Sequence, residues 1–129
     1  MDIKTHTKIS RTLVGIPIDV VEGIRAVAEL TTIGEMVADS SGLIHGGFTF
    51  GLADYAAMLA VNHPNVVLSS AQTKFTEPVR VGETMRAEAN ITKTEGRKSE
   101  INIEVKVRDR KVFTGVFEYY ILDKLVLEK

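Results

Sequence analysis

The sequence contains no cysteine. That removes a disulfide framework, a thiolate nucleophile and a cysteine-ligated metal from the chemistry open to it. Neither sign of charge predominates: 16 Lys and Arg are interspersed with 17 Asp and Glu, for a formal net charge of −1. There is no basic field to hold a nucleic acid and no polybasic tail for a lipid surface. Long hydrophobic runs are missing too. No apolar stretch reaches the ~20 residues that span a bilayer, and the opening Met1-Asp2-Ile3-Lys4-Thr5-His6 lacks the apolar core of a secretory signal. The expectation is a cytoplasmic protein whose partner is a small molecule or another copy of itself, with no nucleic acid and no membrane. The three histidines, His6, His45 and His63, show no ligand spacing and no accompanying acidic cluster, so no metal is expected.

What is present suits one core. Apolar side chains make up 44% of 129 residues, enough to bury a single hydrophobic centre and too few for two ordinary domains, so 1–129 is read as one domain. No internal repeat, low-complexity tract or linker interrupts it. Residues 13–21 and 25–32 read as short strands, the first an edge or irregular piece because it holds Pro17. Residues 66–75 read as a strand ended by Pro78 and Val81-Gly82. Residues 83–94 alternate cleanly, with Met85, Ala87, Ala89 and Ile91 on one face, and Ile101, Ile103, Val105 and Val107 repeat the pattern after the Glu95-Gly96 turn. Residues 111–122 are apolar on both faces, which predicts a strand covered on both sides. The first ten residues are read as either mobile or a short helix.

The most informative run is Gly42-Leu43-Ile44-His45-Gly46-Gly47 followed by about four turns of helix-compatible residues, stopped by Asn62, His63 and Pro64. One carboxylate, Asp54, sits in the middle of this otherwise apolar or small stretch, where a charge must be satisfied, neutralised or used. The helix start offers unpaired N–H groups and partial positive charge, suited to an anion or to a carbonyl oxygen becoming one. Eight residues separate Gly46 from Asp54, ~12 Å of helical rise, so one chain does not bring both onto the same bond. If both act on one substrate, the second half of the site comes from another subunit. A helix apolar nearly all round needs wide cover, and a curved antiparallel sheet wrapped around it supplies that in an α+β architecture.

Gly42, His45, Gly46, Gly47 and Asp54 resemble the hallmark of the hotdog-fold acyl-CoA thioesterases, above all the PaaI-like group and its 4-hydroxybenzoyl-CoA relatives. The likeness spans roughly residues 14–122. It implies a hotdog fold and hydrolysis of a small or medium acyl-CoA thioester. Asp54 would be the nucleophile or the general base that activates water, and the Gly46 N–H would polarise the thioester carbonyl. His45 would orient the loop, bond the substrate carbonyl or serve structurally, and Gly47 would lie at the substrate or simply admit the helix. Asp39 is a departure: many relatives carry Asn or Gln there, and an ionised Asp cannot donate to a carbonyl, so either the oxyanion arrangement is altered or Asp39 serves a turn. Met58 is a candidate for the acyl pocket or the core, and Ser70 with Gln72 for facing the reacting group of a neighbouring subunit. Arg97 and Lys98, after Gly96, resemble the family's basic hairpin that contacts CoA phosphates, or serve solubility. No cofactor is implied beyond the CoA of the substrate. A homodimer is expected, with a homotetramer as the larger assembly. The alternative class is an acyl-CoA sensor or carrier without hydrolysis, which an attached regulatory or DNA-binding segment would favour; none is read in these residues. An acyl-CoA hydratase lacks its Asp-then-His motif downstream of the helix.

Overall fold

The computed structural model describes residues 2–128. The elements run β1 (Ile16–Val21), β2 (Arg25–Thr31), a short 3-10 turn (Gly34–Met36), α1 (Gly46–Val61), β3 (Val66–Phe75), β4 (Thr84–Glu95), β5 (Lys98–Val107) and β6 (Arg110–Ile121). All six strands join one antiparallel sheet in the order β1-β2-β4-β5-β6-β3. The helix therefore interrupts the strand sequence once, and β3 lands at the far edge beside β6. Pro17 sits at a β-bulge of the other edge strand, as its missing N–H requires.

Side-chain size explains how the sheet wraps the helix. Ala26 pairs with Ala89 and Ala28 with Ala87 on β2 and β4, all buried, and Ala53, Ala56, Ala57 and Ala60 of α1 are buried with them. Small side chains let helix and sheet approach closely there. Farther across the sheet larger residues enter: the Ala28–Ala87 row continues to Val105 and then Phe113, and in a neighbouring row Ile91 is followed by Ile101 and then Phe117. The larger side chains fill the widening gap as β5 and β6 curve away from the helix. Gly115 stands between two of these rings, and a Cβ there would lie 2.5 Å from Phe117 Cε1 and 3.2 Å from Phe113 Cε1.

The helix ends are determined locally. His45 caps the start, its Nδ1 accepting from Gly47 N–H at 2.8 Å. Asn62 stops the helix in the left-handed conformation with its N–H on Met58 O. Its buried side chain also accepts from Lys4 N–H and donates to the Asp2 carbonyl. This tie corrects the expectation of a mobile or helical N-terminus: residues 2–6 are an anchored non-helical segment, with Thr5 buried.

The inner face of β6 is buried through Phe113, Phe117 and Tyr119, but Val116 and Tyr120 on its outer face are exposed. Cover on both sides of that strand is therefore not supplied by this chain. Among the described residues no helix is long and apolar enough to cross a membrane.

Gly115→Ala should destabilise the fold by about 1–3 kcal/mol through overpacking against the two rings, measured as a lowered midpoint in urea unfolding at unchanged slope.

Candidate active site

The covered sides of α1 leave one stripe that is only partly buried. Gly47 is exposed and Phe50, Gly51 and Asp54 are partly so, at helical spacing, while residues 55–61 are all buried. Asp54 lies at the inner end of this stripe. Tyr119 Oη, from β6, donates to Asp54 Oδ1 at 2.8 Å, and Tyr119 is itself buried to 1% exposure. Phe50 stacks on Phe117 at 5.3 Å between ring centres, closing the apolar wall beside the carboxylate. Burial pushes the Asp54 carboxyl above the ordinary carboxylate range, and the Tyr119 hydrogen bond and the nearby His6 draw it partly back. His6 is pushed below its usual value by burial, against the opposing pull of Asp54.

Tyr119 and His6 are the site residues that sequence reasoning missed. The signal for Tyr119 was available: the alternation of β6 puts it on the inner face with Phe113 and Phe117, and a buried phenol needs an acceptor. For His6 there was none, because the Asn62 tie that brings the N-terminal segment to α1 joins residues about sixty positions apart.

At the other end of the stripe, Gly46 opens the helix. Its N–H has no acceptor among the described backbone hydrogen bonds, whereas the neighbouring Gly47 N–H is taken by His45. His45 thus acts as the helix cap, and Gly47 is the residue that accommodates it, since a Cβ there would lie 2.8 Å from His45 Nδ1. The approach to Gly46 is held on both sides, by His45 N–H on Met36 O and Ile44 N–H on Val79 O, each at 2.9 Å. A groove of about 360 Å³ lined by Leu43, Ile44, Gly46, Thr49, Phe75 and Val112 opens beside it. The Phe75 ring lies over Gly46, 3.1 Å from where a Cβ would stand.

The remaining candidates are dispersed. Asp39 is exposed, and its Oδ1 accepts from Ser41 N–H at 2.9 Å and Ser41 Oγ at 2.6 Å. These bonds from Ser41 hold its carboxyl below the usual range, and they make it a turn acceptor, the second of the two roles the sequence leaves open for it. Met58 is 5% exposed and packs in the core instead of lining the groove. Ser70 and Gln72 stand in register with Glu118 and Val116, on the outer face of the sheet and away from Asp54 of the same chain. Ser70 Oγ donates there to Glu118. Arg97 and Lys98 occupy the β4–β5 hairpin at the sheet end that carries Tyr119, ion-paired to Asp123 and Glu118 respectively. Among the described residues no cluster of three or more His, Cys, Asp or Glu is placed to hold a metal ion.

One long helix enclosed by a curved six-stranded antiparallel sheet is the hotdog arrangement. The chain belongs to the thioesterase superfamily, whose family model matches residues 41–114, the segment that carries His45, Gly46 and Asp54. The crystal structure of an uncharacterised protein from Pyrococcus horikoshii superposes with a TM-score of 0.96 at 50% identity, over 99% of this chain and 98% of that one. The Escherichia coli PaaI protein of the phenylacetic acid degradation operon superposes at 0.77 with 25% identity, over 85% and 80%. Among curated relatives, methylthioribose-1-phosphate isomerase of Aquifex aeolicus is 48% identical over 91% of this chain. Transcription factor FapR of Caldanaerobacter subterraneus is 26% identical over 98% of it. The chain spans 25% of the first protein's length and 63% of the second's.

A carboxyl that holds its proton to higher pH when folded is favourable to the fold below its unfolded pKa, and that benefit is lost as pH rises through the folded value. Asp54→Asn should therefore raise the melting temperature at neutral pH, with the gain shrinking toward zero as the pH falls through the acid range, measured by calorimetry.

Proposed function

We propose that the chain is a cytoplasmic acyl-CoA thioesterase that hydrolyses a small or medium acyl thioester to free acid and CoA, with its sites between two copies of the chain. The observation that carries this reading is Asp54, a half-buried carboxylate on an otherwise apolar helix whose first N–H, at Gly46, is free. Membership of the thioesterase superfamily and the likeness to PaaI support it.

In this reading the Gly46 N–H donates to the thioester carbonyl oxygen and favours the charge that develops on it. Asp54 then acts in one of two ways. As nucleophile, a carboxylate oxygen adds to the carbonyl carbon, the C–S bond breaks, the CoA thiolate takes up a proton, and water opens the resulting anhydride. As general base, Asp54 takes a proton from water as the water oxygen adds, and returns it to the departing sulfur. Neither route uses a metal or bound cofactor. The ~12 Å of helix between Gly46 and Asp54 supports a site whose two groups come from different subunits. The free edge of β3 is the proposed contact: it is a ten-residue strand without proline, ending at Phe75, which is 55% exposed. Pairing of two such dimers would give a homotetramer. Arg97 and Lys98 are proposed for the CoA phosphates, since exposed ion pairs such as theirs with Asp123 and Glu118 exchange partners at little cost.

A second reading, acyl-CoA binding without hydrolysis, is favoured by one comparison: FapR, matched over 98% of this chain, is a transcription factor by name. The acceptor-only Asp39 supports it as well.

Thiol release from a panel of short, medium and aromatic acyl-CoA esters should be seen with the parent protein and fall by about a hundredfold or more in Asp54→Asn. Tight binding of an ester with no cleavage by the parent would establish the second reading instead. Gly46→Pro removes the proposed donor at the first helical position, which proline favours, and needs the exposed Phe75 ring, 3.1 Å from a Cβ there, to turn aside. Mixed and refolded in equal amounts, the inactive Asp54→Asn and Gly46→Pro proteins should recover about a quarter of parental activity, as one intact shared site in each heterodimer requires. No recovery would refute the shared site.

A further inference from the structure

Tyr119 has a geometry that its place in the core does not require. Its ring is fixed by neighbours on both sides, since Ser99 on β5 and Leu68 on β3 flank it in register and Phe117 lies 6.2 Å away between ring centres. A phenol has one proton to donate, and here it goes to Asp54 Oδ1 at 2.8 Å. Burial first, and then the charge and hydrogen bond of Asp54, push the Tyr119 hydroxyl far above its ordinary range, so it stays a donor at every working pH. The carboxylate therefore has one oxygen committed to a rigid strand.

We propose that Tyr119 is a positioning residue of the hydrolytic site: by donating to Oδ1 it fixes the rotation of the Asp54 carboxylate and leaves Oδ2 as the oxygen that meets the thioester or its attacking water. This rests on the thioesterase reading and adds to it a residue outside the helix motif. The bond also selects the ionised form of Asp54 against the cost of its burial. The titratable groups that face Asp54 are Tyr119 from β6 and His6 from the N-terminal segment, and His6 is held toward its neutral form by burial. Loss of the Tyr119 bond accordingly leaves burial as the dominant influence and moves the carboxyl upward.

The test is Tyr119→Phe, which keeps the ring and removes only the hydroxyl. The expected result is a kcat lower by roughly ten- to a hundredfold with KM little changed. The acid limb of the pH–kcat profile should move to higher pH, and the Asp54 carboxyl should titrate higher by the same amount in 13C NMR. In an Asp54→Asn background the same change should have no further effect on residual turnover. An unmoved carboxyl titration, or a kcat and pH profile like the parent's, would overturn the proposal. A parent that releases no thiol would defeat the thioesterase reading alone; the carboxyl titration still decides whether Tyr119 holds Asp54. If the variant does not fold, the parent provides the readout: a slowly exchanging downfield phenol proton that shifts in Asp54→Asn supports the tether, and its absence overturns it.

Discussion

A sixteen-residue helix without a polar face has to be covered, and the rest of this molecule is arranged to cover it. The sheet does so by curvature, and the curvature follows from volume: paired alanines on β2 and β4 let α1 sit close, while valine, isoleucine and phenylalanine on β5 and β6 fill the gap as the sheet bends away. Coverage stops short of complete. The stripe through Gly47, Phe50, Gly51 and Asp54 keeps some exposure even with Phe117 stacked on Phe50 and Tyr119 bonded to Asp54, and β3 is an edge strand of the sheet. A free strand edge and a partly exposed strip of apolar helix are the surfaces that a second copy would cover in the proposed assembly.

The same constraint produces the chemistry. A carboxylate in such a helix is expensive to ionise, and the fold meets the cost with one hydrogen bond from a rigid strand and the nearness of His6 instead of a salt bridge. The result is a carboxyl displaced upward from its ordinary range, a property that suits proton transfer and disfavours the folded state at neutral pH. Stability and reactivity draw on the same residue in opposite directions. The helix start repeats the theme: His45 satisfies the Gly47 N–H and leaves that of Gly46 without an acceptor.

The comparisons agree on the fold and diverge on the work done with it. The fold is shared with a PaaI protein, and sequence likeness extends to a stretch of a protein named as an isomerase and to one named as a transcription factor. Sheet curvature and helix enclosure are properties of packing, which all of these can keep, whereas turnover depends on a few polar groups around one carbonyl. Asp39 is one such group: an acceptor tied to Ser41 stands where the family resemblance implies an amide donor.

The elements were legible because their signals are local. Alternation in 83–94 and around Ile101–Val107, the proline at a bulged edge strand, and the Asn-His-Pro stop each constrain only neighbouring backbone, and the strands and helix lie where those patterns put them. Asp54 stood out for the same reason, as a charge in an apolar run. What the sequence left open depends on contacts between distant residues. The direction of β3, which turns Ser70 and Gln72 outward, follows from pairing with β6 across a bulge at Leu68/Ser70, and a shift of one residue reverses every side chain of a strand. The burial of Met58, the turn-holding role of Asp39 and the exposure of Val116 and Tyr120 also depend on what lies opposite. Above all, the partners of Asp54 come from the two ends of the chain, Tyr119 near one and His6 near the other, brought to the helix only when the sheet closes and Asn62 ties down the N-terminus. The sequence by itself determined that a carboxylate would be buried in the central helix; tertiary structure decided what would hold it, because a hydrogen-bond partner is chosen by proximity in space and proximity here is a product of the whole sheet.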